Sequence, residues 1–389
     1  GDTMELVSIT DVRTGEKDYL EDADGTDNDA AVDAIYGPIT GGITIPYSGT
    51  GEIDTTYQEF RLSGGADALT WFAGVSYYNE DSAAPDYLVD LIDTAFGLGS
   101  IARTLIKNEG DNDSYGVYGD ATWYVTEKFA LTGGVRWSYD EKDWCTNTLE
   151  DNLGEAGGPT DGELCTEEDW DEVTSRLVGQ YNISDDVMVF ASLSEGYKGG
   201  GFNNSAADTN GDFIGDTILP FDPETSVAFE VGIKSMLMDG KLQLNASAFY
   251  TEFEDLQIQT TNIETGLQTS NGGDAETNGL EVELNFSPVE NLVLMANYAY
   301  LDAEFTDGEL NGYELAYAPE STFSVGANFD HQFLGGTLNW FAVYNYTDDF
   351  YHDAGNGSEE DAYGLLNARV GYTPTDGNWE LALAGDNLT

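Results

Sequence analysis

The sequence is poor in basic residues: 13 Lys and Arg stand against 73 Asp and Glu, and the 389 residues carry a formal net charge of −60. Proteins that bind DNA or RNA need clustered Lys and Arg, so this composition excludes a nucleic-acid partner. The acidity is typical of a solvated coat suited to a salty habitat, and capture of divalent cations is the alternative interpretation.

Histidine is also scarce. His331 and His352 are the two in the sequence, which leaves few candidates for general-base catalysis. No serine lies in a nucleophile elbow, and carboxylate pairs carry no information in so acidic a chain. We therefore do not expect an enzyme.

Long apolar runs are missing from the sequence. A transmembrane helix needs about 20 consecutive apolar residues, so this class of membrane span is excluded. A transmembrane β-strand is not excluded, because it is apolar on one side and needs only about 9–11 residues.

Cysteine occurs twice, as Cys145 and Cys165, in one predicted loop rich in Gly, Asp and Glu. No histidine lies nearby, and zinc usually takes four ligands, so a metal site fits poorly. We expect a disulfide that closes this loop, which implies an oxidising compartment.

What the sequence has in abundance is alternation of apolar and polar residues. In residues 241–250, Leu, Ala and Tyr occupy every second position, opposite mostly Lys, Gln, Asn and Ser. Residues 129–137, 280–286 and 338–346 alternate in a similar way. Successive side chains of a strand point to opposite faces, so the pattern predicts about fifteen strands, each with one apolar and one polar face.

The breaks between these strands alternate in length. Short breaks lie at 64–67, 126–128, 183–186, 239–240, 288–291, 334–336 and 374–378. Long, acidic breaks lie at 15–54, 80–111, 140–170, 199–221, 252–276, 302–313 and 348–361. This predicts an all-β protein, a transmembrane up-and-down antiparallel β-barrel with short periplasmic turns and long acidic extracellular loops.

Two local features carry further predictions. Apolar residues at helical spacing within 86–106 predict a short amphipathic helix in the second long break. Glu230 and Lys234 fall on the same face of one strand and are interpreted as an ion pair facing a water-filled interior.

Two acidic segments are candidate calcium sites. Asp208, Asn210, Asp212 and Asp216 match positions 1, 3, 5 and 9 of a calcium loop, although Phe213 replaces the usual Gly and Leu219 the final acidic ligand. The alternative is an acidic turn without a metal. Four aspartates near the N-terminus form a second, weaker candidate, namely Asp22, Asp24, Asp27 and Asp29.

Several segments resemble the β-barrel domain of TonB-dependent outer-membrane receptors, in that family's order and over almost the whole chain. They are YQEFRL at 57–62, SLSEGYKGGGFN at 192–203, DPETSVAFEVGIK at 222–234, AFYTEFEDLQIQ at 248–259, NGLEVE at 278–283 and GDNLT at 385–389. The resemblance implies a barrel of the 22-stranded type. Residues 1–389 would be its later part, with one more strand expected after Thr389 and without the family's N-terminal plug and TonB box.

The resemblance also implies a location and a function. We expect a receptor in the outer membrane of a Gram-negative cell, surrounded by lipid, that takes up a scarce nutrient with energy from the TonB complex acting through the plug. Candidate substrates are a ferric siderophore, haem, cobalamin or an oligosaccharide. The negative field favours neutral glycans or cationic complexes, unless one basic pocket outweighs the net charge.

Three alternatives remain open at this point. The chain could be a plug-less barrel or a surface structural assembly without transport, a passive porin, or a soluble calcium-binding adhesin. The regular alternation of short and long breaks argues against the adhesin, and the family motifs argue against the porin.

Overall fold

The computed structural model describes residues 4–22, 43–44, 46–93, 99–151, 162–203, 206–207, 209, 215–262 and 266–389. All regular structure in these residues is β-strand. In chain order the strands are β1 (Glu5–Asp22), β2 (Ile43–Thr44), β3 (Pro46–Ala66), β4 (Leu69–Asp93), β5 (Gly99–Tyr124), β6 (Phe129–Asp151), β7 (Leu164–Ser184), β8 (Val187–Lys198), β9 (Gly201–Phe202), β10 (Pro220–Phe221), β11 (Glu224–Leu237), β12 (Leu242–Glu254), β13 (Gln257–Asn262), β14 (Gly266–Asn271), β15 (Ala275–Val289), β16 (Leu292–Phe305), β17 (Ser321–Phe333), β18 (Gly336–Thr347), β19 (Phe350–Tyr351), β20 (Glu359–Glu360), β21 (Tyr363–Pro374) and β22 (Leu381–Gly385).

Fifteen of these strands form one antiparallel sheet, in which each pairs with its predecessor and its successor. The order is β1-β3-β4-β5-β6-β7-β8-β11-β12-β15-β16-β17-β18-β21-β22, and β2 pairs with the far end of β4. The remaining short strands form three separate two-stranded pieces, β9 with β10, β13 with β14, and β19 with β20. The predicted number of strands and the up-and-down topology are confirmed.

All seven predicted short turns lie between consecutive strands of the sheet, at one end of it. The turn between β11 and β12 contains Asp239 and Gly240. Met238, Asp239 and Gly240 adopt φ values of 58°, 56° and 81°. These left-handed conformations match the twist of a tight hairpin and are tolerated best by Gly, Asn and Asp.

At the other end of the sheet the first three long breaks, predicted at 15–54, 80–111 and 140–170, are shorter than predicted. Strands β3 to β7 have 21 to 26 residues, far more than a bilayer crossing needs. Asp81 pairs with Asp111 and Glu141 with Asp169, inside segments predicted as loops. Backbone hydrogen bonds form whatever the side chains are, so a strand clear of hydrocarbon does not need an apolar residue at every second position.

The helix predicted within 86–106 is wrong. Residues 86–93 belong to β4 and 99–106 to β5, and the two strands pair from Tyr87 with Ile106 to Asp93 with Gly99. A short apolar run fits a helix and a strand equally well by periodicity. Here the neighbouring strand supplies backbone partners, and the hairpin simply continues. None of the described residues forms a helix long and apolar enough to cross a membrane.

The sheet presents one apolar face to its surroundings. Val231, Ala248, Leu280 and Tyr300 stand opposite one another in a row across β11, β12, β15 and β16. Large apolar side chains on this face are exposed, as the 53% exposure of Val325 shows. A contiguous apolar surface of this extent needs hydrocarbon or protein against it.

The described residues contain one small buried apolar cluster. It consists of Ala275, Phe305 and Ala354, with five partly buried side chains packed around it, Phe253, Leu256, Ile258, Leu310 and Leu315. It lies at the end of the sheet opposite the short turns. The cluster therefore holds loops together, while the sheet itself is held by its hydrogen-bond ladder and by the medium around it.

Candidate functional site

The opposite face of the sheet is polar, and we call it the polar face. Lys234, Asn245, Glu283, Asn297 and Ser324 stand in one row across β11, β12, β15, β16 and β17. The same register that aligns apolar residues on one side therefore aligns these polar residues on the other. In the described part of the chain, two concave regions of the polar face bring acidic and basic side chains together.

The first region is a concavity of about 800 Å³ with an excess of acid, lined by Glu230, Lys234, Glu281 and Glu283 among others. Asn245 donates to Glu283 over 2.9 Å. The predicted ion pair between Glu230 and Lys234 is wrong, since no such pair forms in the described part of the chain. Four residues of strand span roughly 13 Å, too far for direct contact. The Lys234 ammonium instead lies 5.6 Å from the centroid of the Phe190 ring.

The second region is a concavity of about 450 Å³, lined by Glu59, Arg61, Asp120, Arg136 and Arg176 among others. We call these five residues the arginine patch. Arg176 donates from Nε and Nη2 to the same oxygen of Asp120, each over 2.7 Å. Arg61 lies 3.9 Å from Glu59. The patch brings together three of the six arginines in the sequence.

The sequence did not single out the arginine patch, because its members lie on four strands and come together only through strand order and register. The sequence did carry one signal, namely the side of the strand on which each arginine falls. Arg61, Arg136 and Arg176 each fall at a polar position of an alternating strand. Knowledge of which strands are adjacent would have placed them side by side.

At the end of the sheet opposite the short turns, several of the described segments pack against one another. Lys142 donates to the carbonyl of Gly200 over 2.6 Å, and its ammonium lies 5.8 Å from the centre of the Trp170 ring. Burial lowers the pKa of Lys142, while the charges of Asp140 and Glu80 act in the opposite direction.

The glycine-rich segment after β8 takes part in this packing. A Cβ atom on Gly200 would lie 2.6 Å from the carbonyl oxygen of Phe221 and 2.6 Å from the Trp170 ring. Nearby, Asn203 exchanges two hydrogen bonds with the backbone of Thr269, of 2.8 and 2.7 Å. The segment is a packed junction.

A second set of contacts at this end lies in the loop after β19. The Asp353 carboxylate accepts hydrogen bonds from the backbone N–H groups of Gly355, Gly357 and Ser358 over 2.8 to 3.1 Å. The bond from Gly357 is the main reason that the pKa of Asp353 lies below its usual value. In the facing loop, burial raises the pKa of Glu314, and the charge of Asp349 adds to this effect.

The predicted disulfide is present. Cys145 on β6 and Cys165 on β7 stand directly opposite each other, with a Cα–Cα distance of 4.1 Å and an S–S bond of 2.07 Å. The two residues are therefore cross-strand neighbours within one long hairpin. Part of the break predicted at 140–170 is strand, because β6 extends to Asp151 and β7 begins at Leu164.

The calcium predictions remain predictions. Three residues of the first candidate, Asp208, Asn210 and Asp212, lie outside the described residues, and in the fourth, Asp216, the carboxylate accepts from the Thr209 hydroxyl. The second candidate also lies outside the described residues, except for the backbone of Asp22, and its other members are Asp24, Asp27 and Asp29. In the part of the chain that the structure describes, no group of three His, Cys, Asp or Glu is placed to hold a metal.

An antiparallel meander with an exposed apolar face, a charged opposite face and tight turns at one end defines a membrane-spanning β-barrel protein. The family model "TonB dependent receptor-like, beta-barrel" matches residues 10–388, and the chain belongs to this family. It is accordingly a β-barrel protein of the Gram-negative outer membrane, and its apolar face is the side in contact with lipid. The polar face is then the lumen side of the wall.

Individual relatives are distant and longer than this chain. The pesticin receptor of Yersinia enterocolitica is 28% identical over 338 residues, which are 85% of this chain and 46% of that protein. The metal-pseudopaline receptor of Pseudomonas aeruginosa is 27% identical over 220 residues, 55% of this chain and 29% of that protein. The chain spans about half the length of the first of these relatives.

Among solved structures, the ferric yersiniabactin uptake receptor from Yersinia pestis has a similar fold. The TM-score is 0.74 at 21% identity, over 89% of this chain and 51% of that one. This likeness agrees with the up-and-down barrel architecture derived from the strand pairing.

Proposed function

We propose that this chain is the wall of a receptor that takes up a metal ion bound to a small-molecule chelator, of the siderophore class. The match to the receptor barrel family over residues 10–388 carries the proposal. A curated relative named as a receptor for a metal complex supports the substrate class. The charged concavities of the polar face fit this function, since they line the route that a chelate would take through the lumen.

The proposal includes partners beyond these residues. We propose that the fifteen strands are part of a barrel of the 22-stranded type whose lumen holds a plug. Through the plug, the TonB complex would supply energy for uptake. The length of the relatives, about twice the span matched here, supports this arrangement.

The test uses the full-length gene in its own host. Accumulation of ⁵⁵Fe supplied as a panel of chelates is measured in the parent strain, in a strain lacking the gene and in the complemented strain. We expect at least one chelate to accumulate only where the gene is present. We also expect that accumulation to stop when tonB is deleted or the proton gradient is collapsed.

Two results would argue against the proposal. Gene-dependent accumulation that continues without TonB would indicate a passive pore. If no metal chelate depends on the gene while growth on an oligosaccharide does, the substrate class would be wrong, although the family would stand.

A further inference from the structure

The geometry points to an anion-binding station in the lumen: we propose that Arg61, Arg136 and Arg176 together bind the carboxylate or phenolate oxygens of an anionic metal chelate as it crosses the barrel. This inference rests on the proposed function and names its substrate class. It runs against the net charge of −60, which by itself disfavours anionic cargo.

The first argument is the position of the side chains. Arg61, Gly74, Tyr118, Arg136 and Thr174 stand opposite one another in one continuous row across β3 to β7. The adjacent row, two residues nearer the short turns on β5, runs through Asp120, Gly134, Arg176 and Ser194. The arginines lie five to eight residues from the short turns, which is within the length of a bilayer-crossing strand of about 9–11 residues.

The second argument is which charges the lumen meets. The carboxylates of the patch are covered, with side-chain exposures of 13% for Glu59 and 10% for Asp120. The arginines above them are open, at 43% for Arg61 and 52% for Arg176. The Asp120 carboxylate therefore holds the Arg176 guanidinium in place. The more exposed charges of the patch are cationic.

Arg136 adds a charge without a direct carboxylate partner in the described part of the chain. Its Nε donates to the Ser138 hydroxyl over 2.9 Å and its Nη2 to the Ser76 hydroxyl over 3.5 Å. Its Cζ lies 5.6 Å from the centre of the Tyr118 ring. A guanidinium has five N–H donors, so donors remain for a ligand.

The third argument is that glycines on the neighbouring strands leave room for these side chains. A Cβ atom on Gly116 would collide with the Arg136 guanidinium. One on Gly134 would lie 2.6 Å from the Asp120 carboxylate and 3.2 Å from Cγ of Arg176. Glycine at these lumen-facing positions lets the long side chains of the neighbouring strands lie flat. A concavity of about 450 Å³ lies in front of them.

These features fit a small anionic ligand. The concavity lies within the range of roughly 300–1,000 Å³ that is usual for small-molecule sites. Guanidinium groups bind carboxylates and similar oxygen anions by paired N–H donors, which makes arginine the expected residue for this purpose. An acidic segment of the plug is the competing occupant, and the test separates the two.

The experiment uses the full-length receptor in cells and three single arginine variants. Uptake is compared for ⁵⁵Fe bound to citrate or to a tris-catecholate, which are anionic complexes, and to a neutral tris-hydroxamate. Arg136→Gln and Arg176→Gln should lower uptake of the anionic complexes at least tenfold relative to any neutral complex that is taken up. Arg369→Gln removes the same charge from a distant strand, where Arg369 pairs with Glu380. This control variant should change uptake of neither the anionic nor the neutral complexes.

A second pair of variants tests the geometry without altering charge. Gly134→Ala should lower anionic uptake because it displaces the Asp120–Arg176 pair. Gly133→Ala, one residue away on the lipid face with nothing within 4 Å of the added Cβ, should not. Heat-modifiable migration of each variant on gels reports whether the barrel has assembled.

Each outcome is decisive. If wild type takes up only neutral complexes, or if the arginine variants lower all uptake equally, the anion station is wrong while the proposed function survives. If the arginine variants instead sensitise cells to a large antibiotic, the patch holds the plug and the inference falls. If wild type takes up no chelate at all, the proposed function itself fails.

Discussion

At the scale of residues, one hydrogen bond and one missing side chain bring together segments at the outer ends of the strands. Lys142 crosses from β6 to the backbone of Gly200, and the absence of a side chain on Gly200 allows Trp170 and Phe221 to close on it. A charged side chain and a missing one thus perform the same task, which is to let segments distant in sequence approach within van der Waals contact.

Gly200→Ala should disturb this junction. The added methyl group would overlap the Phe221 carbonyl and the Trp170 ring, and overpacking of a tight site costs about 1–3 kcal/mol. We expect faster cleavage of the segment by added protease on intact cells. Gly133→Ala is the matched control, because its Cβ meets nothing within 4 Å; equal cleavage of the two variants would contradict the packing.

The carboxylate of Asp353 should make its loop sensitive to acid. Hydrogen bonds from Gly357 and its neighbours lower the pKa of Asp353 in the folded state, so the stabilisation is complete above the unfolded pKa of about 3.9 and is lost as pH falls through the lower folded value. Asp353→Ala removes the acceptor at every pH and should cost the loop about 1 kcal/mol.

The measurement is amide hydrogen exchange of the peptide covering 353–358, corrected for the intrinsic rate at each pH. Wild type should lose protection below about pH 4, whereas Asp353→Ala should lack it already at pH 7. Protection in wild type that does not change with pH would show that the carboxylate is not its source.

At the scale of elements, the hairpins differ in how far they extend beyond the hydrocarbon. The β6–β7 hairpin continues well past the bilayer-crossing length and carries the disulfide at directly opposite positions. Its outer part has acidic residues on both strands, such as Glu141 opposite Asp169. Ladder hydrogen bonds and the covalent bond together hold this like-charged pair of strands in register.

Removal of the disulfide should loosen the outer part of that hairpin and leave the barrel assembled. The bond joins residues 20 apart, for which chain entropy predicts a stabilisation of about 3 kcal/mol. Cys145→Ser with Cys165→Ser should therefore expose the outer hairpin to protease at low ionic strength, with less effect at high salt, where repulsion between the acidic strands is screened. An unchanged protease pattern would show that the ladder alone suffices.

The strands and tight turns could be predicted from the sequence because each follows a simple physical rule. Alternation located the strands where one side meets lipid, and turn residues such as Asp239 and Gly240 located the hairpins. Alternation is no longer required where the strands leave the hydrocarbon. The sequence pattern therefore predicts loops for the outer strand segments and a helix within 86–106, both of which are strand. The arginine patch depends on register between strands far apart in sequence, and a slip of one residue would have moved it to the other face.

For the molecule as a whole, the separation of its two faces is the central property. Val325 and Ser324 are adjacent on β17, yet the first faces lipid and the second faces the lumen row with Asn297 and Asn345. The medium on each side, rather than the position along the strand, sets which substitutions the barrel tolerates.

Val325→Lys and Ser324→Lys should accordingly differ in effect. A lysine at the bilayer midplane on the lipid face costs about 2–4 kcal/mol, whereas one in a water-filled lumen costs far less. We expect lower amounts of assembled Val325→Lys receptor in the outer membrane, measured by heat-modifiable migration, and near wild-type amounts for Ser324→Lys. The reverse order would invert the assignment of the faces.

The strict neighbour-to-neighbour pairing of the fifteen strands has a consequence for how such a wall can be made and changed. Each strand needs only the one before it as a template, so the sheet can grow in the order in which the chain is delivered to the membrane, without waiting for a distant partner. For the same reason a hairpin is the unit by which such a sheet can gain or lose strands during evolution. Gain or loss of a whole hairpin keeps every strand antiparallel to its new neighbour, whereas gain or loss of a single strand would reverse the direction of all that follow.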